Sequence, residues 1–529
     1  MDNPSTQIDD LKLFSSDKSA FDLHSKTSES SKLADHGETT NDVLEDLVEQ
    51  YIGGSLRWTQ VLQVILISMA SFFEAQQTFI TIFTDAKPSW HCKQTPTTCD
   101  SSSPDVCKLP LNSWEWDRPA QTSVISDWSL LCTTASKIVS GLPASSFFMG
   151  SLLGGIILGF IGDSIGRKKL LTLSCFTMSA ASMLIFFSNN IWVYSGLKAI
   201  SGLGRAAIGS CVLVLSTESV GKRWRGRVGV VGFLCSTLGY MSLPALAYVL
   251  RSHSWKNLYL LTSAPAILYS VLVVLFAYES PKWMLQQGKV RRAAEVLKAY
   301  IDPNCYYDYS SFSKAVASST SQKSPTRAHE NRSFVSLSVY DLFWKGDKTT
   351  LRQLIVAMLI GFGVGLIYYG TPLGLGGFEF NLYLTVACSA TLEVPSALMT
   401  FYLAKFRRRV SLLSLCILSG ACELLSILVG KWIWMQFLSF FSACTAFNLL
   451  IIYTVELFET SVRNSAVSMV WQAIVLGGVI SPLVISIGEG YNDNILPHLL
   501  FGLLIFILGP LVLLLKETMP GRPQRVHQS

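Results

Sequence analysis

Twelve runs of mostly apolar residues, each close to the length that crosses a bilayer, take up most of this 529-residue chain. They cover residues 61–83, 138–161, 170–187, 191–215, 228–250, 258–278, 354–369, 382–401, 412–429, 432–455, 467–487 and 496–515. A hydrocarbon core takes about 20 residues of helix. Half of the residues are hydrophobic, 15% are charged and the mean hydropathy is +0.39, outside the balance of a soluble globular chain. The chain therefore reads as an all-α membrane protein with twelve transmembrane helices.

The two groups of six helices are related. Glu218 is followed seven residues later by Arg225 in ESVGKRWR, and Glu456 by Arg463 in ELFETSVR. Glu279-Ser280 and Glu517-Thr518 follow 61 residues after each first Glu, so all three features shift by 238 residues. This is an internal duplication, which predicts two six-helix pseudo-symmetric bundles, 58–278 and 354–515. Self-similar halves in a hydrophobic chain are a signature of secondary transporters, whose binding site forms where the halves meet near the midplane.

Lysine and arginine collect in GDSIGRKK (162–169), GKRWRGR (221–227), the 279–353 connection, KFRRR (405–409) and GRPQR (521–525). All follow even-numbered helices, so both termini are expected on the cytoplasmic side. The first 50 residues hold twelve acids and four lysines, so the rest of the chain is strongly basic. This tail, 1–57, reads as disordered with one short amphipathic helix from Asn41, and it lacks the plan of a cleaved signal peptide. The linker 279–353 opens with short amphipathic helices carrying Met284, Leu285, Ala293, Ala294 and Leu297, expected under the bundle; a flexible stretch follows around 311–333. Residues 516–529 form a cytoplasmic tail. Cys92, Cys99, Cys107 and Cys132 share the long exoplasmic loop 85–137 and are disulfide candidates, with three pairings open. A zinc site is the rival reading, with His91 nearby. The sequon Asn331-Arg-Ser333 is expected on the cytoplasmic side and unmodified.

GFIGDSIGRKK (159–169) has no preceding strand and no phosphate-loop pattern. It resembles the loop between helices two and three of the major facilitator superfamily. Together with the doubled Glu-x6-Arg motifs and the six-plus-six count, the resemblance covers nearly the whole chain. Three features are similar to the organic cation/carnitine transporter family: Glu456–Arg463 with Asn464-Ser-Ala, Ser280-Pro-Lys-Trp-Met after helix six, and the Cys-bearing first loop. TFITIFTDAKPSWHC (78–92) and CKLPLNSWEW (107–116) look most like its plant branch. The resemblance implies the major facilitator fold and a plasma-membrane or vacuolar carrier of small organic cations, carnitine or polyamines.

Charges at helix ends are expected to pair across the two bundles as a cytoplasmic gate: Asp163, Arg167, Glu218, Arg225, Glu279, Arg407, Glu456, Arg463 and Glu517. The other reading makes them topology signals. Ionisable residues inside spans are binding-site candidates by default, which singles out Glu74, Arg205 and Glu393. Lys198 is expected to snorkel to the outer end, and Glu423 to lie in a peripheral helix. Tyr368, Tyr369, Asn448, Tyr453, Trp471 and Gln472 complete the expected substrate site, because aromatic faces recognise ammonium groups. Glu74 and Arg205 lie at similar depth, and the resemblance links a helix-four Arg motif to proton coupling. A static ion pair is the alternative. The partners expected are an organic cation or a zwitterion, protons and the lipid bilayer. No nucleophile–base pair, metal-ligand cluster, ATP motif or nucleic-acid signal appears, so neither enzyme activity nor a cofactor is expected. Two other readings stay open: a carrier of neutral or sugar-like solutes, and a non-transporting membrane receptor on the same scaffold.

Overall fold

The computed structural model describes residues 56–93, 107, 109–110, 113–132, 138–300, 348–377, 381–428, 433–458, 462–490 and 495–517. The tail with its expected helix at Asn41, the stretch 311–333, Cys99 and Thr518 lie outside the described residues. Among the described residues twelve long helices follow one another: α1 Trp58–Thr84, α2 Leu142–Ile165, α3 Arg167–Phe187, α4 Ile191–Glu218, α5 Arg225–Val249, α6 Trp255–Phe276, α7 Lys348–Gly374, α8 Leu382–Leu403, α9 Arg408–Leu428, α10 Ile433–Leu457, α11 Arg463–Gly490 and α12 Ile495–Leu514. Each apolar run of the sequence falls on one of them, so the protein is an all-α, multi-pass membrane protein.

Local chemistry sets the helix ends. At the end bearing the long first loop, Asn190 accepts from the Val193 amide at 2.8 Å to start α4, and Asn381 accepts from Tyr383 at 3.0 Å to start α8. At the opposite, basic end, Gly166 holds φ 104° between α2 and α3, which suits glycine. There the Glu279 carboxylate accepts from the Lys168 amide at 2.9 Å and caps the first turn of α3.

The 238-residue repeat is visible in three dimensions. Pro244 and Pro482 interrupt α5 and α11 at equivalent places. Gly239 of α5 lets the backbone of α1 at Phe72 come close, and Gly477 of α11 does the same for α7 at Gly365 and Leu366; a Cβ at either would collide with main chain.

The halves touch through α2 against α11 and α5 against α8. Ser140 and Ser486 hydroxyls lie 2.7 Å apart, and Tyr240 and Ser389 3.1 Å apart. Toward the loop end one apolar core runs through both halves, joining Phe79, Phe147, Tyr240 and Leu243 to Ile367, Tyr369 and Val479. At the basic end the first half has a separate core, with Ile67, Leu171, Met178, Ile208 and Val273. The halves are thus joined at the loop end, and the first half keeps its own core at the other.

In the loop, Trp90–Cys92 pairs antiparallel with Trp114–Trp116. Cys107 and Cys132 form a disulfide with Cα atoms 5.2 Å apart, and Cys92 is disulfide-bonded as well. His91 hydrogen-bonds Asp117 at 2.6 Å and Glu115 at 3.1 Å.

Pro281–Gln286 and Val290–Tyr300 make a separate unit. A turn at Gly288, φ 72°, joins them, and Trp283, Leu285, Ala293, Leu297 and Tyr300 form their common apolar cluster.

Candidate functional site

Mid-membrane charge converges on two consecutive residues of α7, Tyr368 and Tyr369. Successive helical residues diverge by about 100°, so the two hydroxyls reach different groups although their rings sit 4.9 Å apart. Tyr368 donates to Glu393 Oε1 of α8 at 3.2 Å, and Thr237 of α5, from the other half, donates to Oε2 at 3.0 Å. Arg205, which closes the first segment of α4, donates through Nη2 to the Tyr369 hydroxyl at 3.3 Å. Its Nε lies 3.0 Å from Glu74 Oε1, and its Nη1 donates to Ser151 at 3.2 Å. Glu393 and Arg205 are therefore each held by groups from both halves.

The electrostatics of the two acids differ. Glu74 has a guanidinium partner and keeps 16% of its side-chain surface exposed deep in the span. Glu393 is 4% exposed, and among the described residues no cation pairs with it. A buried carboxylate held by two neutral hydroxyls leaves most of its charge uncompensated. Aromatic faces stand beside it: the Tyr368 ring stacks on Phe447 at 5.1 Å and Phe440 at 5.9 Å, and Phe79 meets it edge-on at 6.5 Å. Trp471 extends the wall through Phe447 at 5.3 Å. Gln472 lies over Gly155, where a Cβ would collide with its amide. Asn448 is partly exposed on α10.

Several expectations are corrected. Tyr453 is fully buried, and its hydroxyl donates to the Lys516 carbonyl at 2.5 Å, near the basic end of α10 and away from the Glu393 site. Lys198 does not snorkel: it is completely buried, because aromatic rings from α2 and α6 close over it. Glu423 turns inward from α9. It is completely buried and hydrogen-bonds His498, Gln436, Thr371 and Ser439, each at 3.0 Å.

Among the described residues, the partners found for Arg407, Arg408, Glu456, Arg463, Glu279 and Glu517 lie within their own half. Glu456 binds Arg408 through two hydrogen bonds of 2.9 and 3.1 Å, and Arg407 lies 3.7 Å from Glu517. Arg463 donates to the Phe458 carbonyl at 3.3 Å, and Glu279 caps α3. Arg408 holds Glu456 with both Nε and Nη2, the bidentate geometry that a planar guanidinium gives a carboxylate. Arg167 and Arg225 begin α3 and α5, Glu218 ends α4, and the side chain of Asp163 falls outside the described set.

Thr237, Phe440 and Phe447 were not among the residues singled out from sequence. A threonine and two phenylalanines in apolar helices carry no signal there, and only the packing of α5, α8 and α10 around α7 brings them to Glu393.

Residues 67–519 match the family model described as "Sugar (and other) transporter". The chain is 44% identical to organic cation/carnitine transporter 3 of Arabidopsis thaliana over 90% of its own length and 91% of the relative's. It is 42% identical to organic cation/carnitine transporter 2 of the same plant, with 92% and 93% covered. The chain belongs to the organic cation/carnitine transporter family of the major facilitator superfamily, in its plant branch. The human organic cation/carnitine transporter 2 is 28% identical, with 77% of this chain and 72% of that protein covered. The inward-open conformation of the xylose transporter XylE from E. coli superposes with a TM-score of 0.60 at 13% identity, covering 87% of this chain and 98% of that one, which shows the shared fold. As a member of this family the protein is a transporter and not an enzyme.

Proposed function

We propose that this transporter moves small organic cations or zwitterions of the carnitine or polyamine kind by alternating access, with proton coupling at Glu74 and Arg205. One observation carries the reading. Glu393 is a mid-membrane carboxylate without a cation partner among the described residues, set beside the stacked rings of Tyr368, Phe440 and Phe447. An ammonium group supplies the missing counter-charge, and each aromatic face adds about 0.5–2 kcal/mol. For a zwitterion, Arg205 is the group for the carboxylate. The relatives named for organic cations and carnitine point the same way.

Both Glu393 and Arg205 have hydrogen bonds that cross between the halves, through Thr237 and Tyr369. Rocking of one half against the other breaks those bonds and changes the surroundings of each charge. That makes the Glu74–Arg205 pair suited to taking a proton on one face and losing it on the other. In this reading both termini and the linker are cytoplasmic, the disulfide loop faces outward, and the carrier sits in the plasma membrane or the vacuolar membrane.

Full-length protein in proteoliposomes, loaded with labelled carnitine, tetraethylammonium or glucose, tests the substrate class. Exchange of either ammonium compound and not of glucose is expected. Glu393→Gln keeps size and removes charge, so that exchange falls about ten- to a hundredfold, the equivalent of about 1.5–3 kcal/mol for a charge-assisted contact. Wild-type kinetics in the variant, or exchange of glucose alone, overturns the proposal. Glu74→Gln is expected to abolish accumulation driven by a pH gradient.

A further inference from the structure

Seven residues before Arg205 on α4, two turns nearer the loop end, lies Lys198, with no exposed surface. Its ammonium donates to the Gln77 carbonyl at 3.1 Å and sits 4.3 Å from the Phe147 ring centroid and 5.5 Å from that of Tyr259. Tyr259 leads from Lys198 through Tyr194 to Asp85, at the loop end of α1. Asp85 Oδ1 accepts from Tyr194 and from Thr84, both at 2.9 Å, and the Tyr194 and Tyr259 hydroxyls lie 2.8 Å apart. Asp85 Oδ2 is buried and has no hydrogen-bond partner. A buried carboxylate oxygen without a donor and a buried ammonium held by one carbonyl are each costly for groups that only pack.

Its position gives it connections at both ends. On the outer side, a cavity of about 390 Å³ is lined by Thr84, Ala86, Trp255 and Leu258, the neighbours of Asp85 and Tyr259. On the inner side, Gln77 is three residues from Glu74 on α1, about one helical turn. The other charges around the cluster are Glu74 on α1, Arg205 on α4, Lys256 on α6, which donates to the Ser188 carbonyl at 2.6 Å, and Asp127 in the loop, which accepts from Trp255 at 3.1 Å. Lys87, Arg118, Arg251 and His253 line the cavity itself.

We propose that Asp85, Tyr194, Tyr259 and Lys198 relay protons between this outer vestibule and Glu74, an inference that rests on Glu74 being the coupling carboxylate. Lys198 gives one proton to the Glu74 carboxylate and becomes a neutral amine. Asp85 takes one proton from the vestibule, past its neighbours Thr84 and Ala86 in the wall, and passes a proton through the tyrosine hydroxyls to Lys198. Asp85 ends as a carboxylate and Lys198 as an ammonium, so the net change is one proton moved from vestibule to Glu74. In the second half, Gln436 stands at the position equivalent to Lys198, and an amide cannot perform this step.

The test uses full-length protein in proteoliposomes and whichever of labelled carnitine or tetraethylammonium it exchanges. Lys198→Arg keeps the cation but holds its proton at every working pH, and Asp85→Asn keeps size without the titrating oxygen. Each is expected to slow pH-driven accumulation about tenfold or more, while exchange at equal pH stays within about twofold of wild type and reports a folded carrier. Wild-type accumulation and pH profile in both variants overturn the relay. If Lys198→Arg loses exchange too, Asp85→Asn decides. If Glu74→Gln abolishes pH-driven accumulation while these two variants retain it, the relay falls and the coupling assignment stands. If Glu74→Gln leaves accumulation intact, both fall.

Discussion

The two halves share a helix plan and differ in what they bury at equivalent positions. Ser201 meets Ser182 at 2.9 Å, and Ser439, 238 residues on from Ser201, meets Ser419 at 3.1 Å. On the same faces, however, Lys198 and Arg205 of α4 are replaced by Gln436 and Ala443 of α10. The second half buries Glu423 beneath four donors, so that all its acceptor capacity toward α7, α10 and α12 is used. The first half leaves Asp85 Oδ2 without a donor and Lys198 with one carbonyl. A saturated polar cluster ties helices together, whereas an unsaturated one has capacity left for chemistry. The duplication thus supplied one scaffold twice, and the two copies bury different polar groups in it.

The sharpest way to break this contrast is by stability. Glu423→Leu leaves His498, Gln436, Thr371 and Ser439 without their buried acceptor and is expected to cost about 3–5 kcal/mol. Lys198→Met, close in volume, is expected to stay within about 1 kcal/mol. Thermal unfolding in detergent measures both, and equal losses would erase the distinction. The shared plan itself is probed by Gly239→Ala and Gly477→Ala, each pressing a methyl into the neighbouring main chain at a cost of about 1–3 kcal/mol. A loss at one site alone would show that the close approach is not symmetric.

At the basic end, Arg408→Ala should lower stability by about 1 kcal/mol, since Glu456 remains partly exposed to water, and Arg463→Ala by less than about 0.5 kcal/mol. The reverse order would make Arg463, and not Arg408, the stronger tie at this end.

The smallest effect lies in the loop, which has no counterpart between α7 and α8. Asp117 first, then Glu115, hold the His91 imidazolium and raise its pKa above the ordinary value of about 6.5. A raised value in the folded state means that the contribution is complete below about pH 6.5 and fades as pH rises through the folded pKa. Tryptophan fluorescence from Trp90, Trp114 and Trp116 should follow that titration in wild type and not in His91→Gln.

How much of the site could be read beforehand depends on the range of the signal. Glu74, Arg205 and Glu393 were legible because an ionisable residue within an apolar run stands out whatever surrounds it. Lys198 and Glu423 stood out equally, yet depth along one helix cannot say whether a side chain reaches the surface or is closed in by Phe147 and Tyr259, or by Gln436 and His498. Tyr453 was misplaced for the same reason. The charged helix ends were legible as a repeated pattern, but the choice of Arg408 over Arg463 for Glu456 depends on where two distant helix ends meet.

By itself, the sequence determined the membrane-spanning helices, their duplication, the family and the charges at mid-membrane, because hydropathy, repeat spacing and motifs are properties of neighbouring residues along the chain. The tertiary structure alone decided which charges face one another. Glu393 meets Thr237 across 156 residues and Arg205 meets Tyr369 across 164. Partnerships at that separation are set by which helices pack together, and between the halves the close approach of Gly141 to the Pro482 carbonyl is part of that packing.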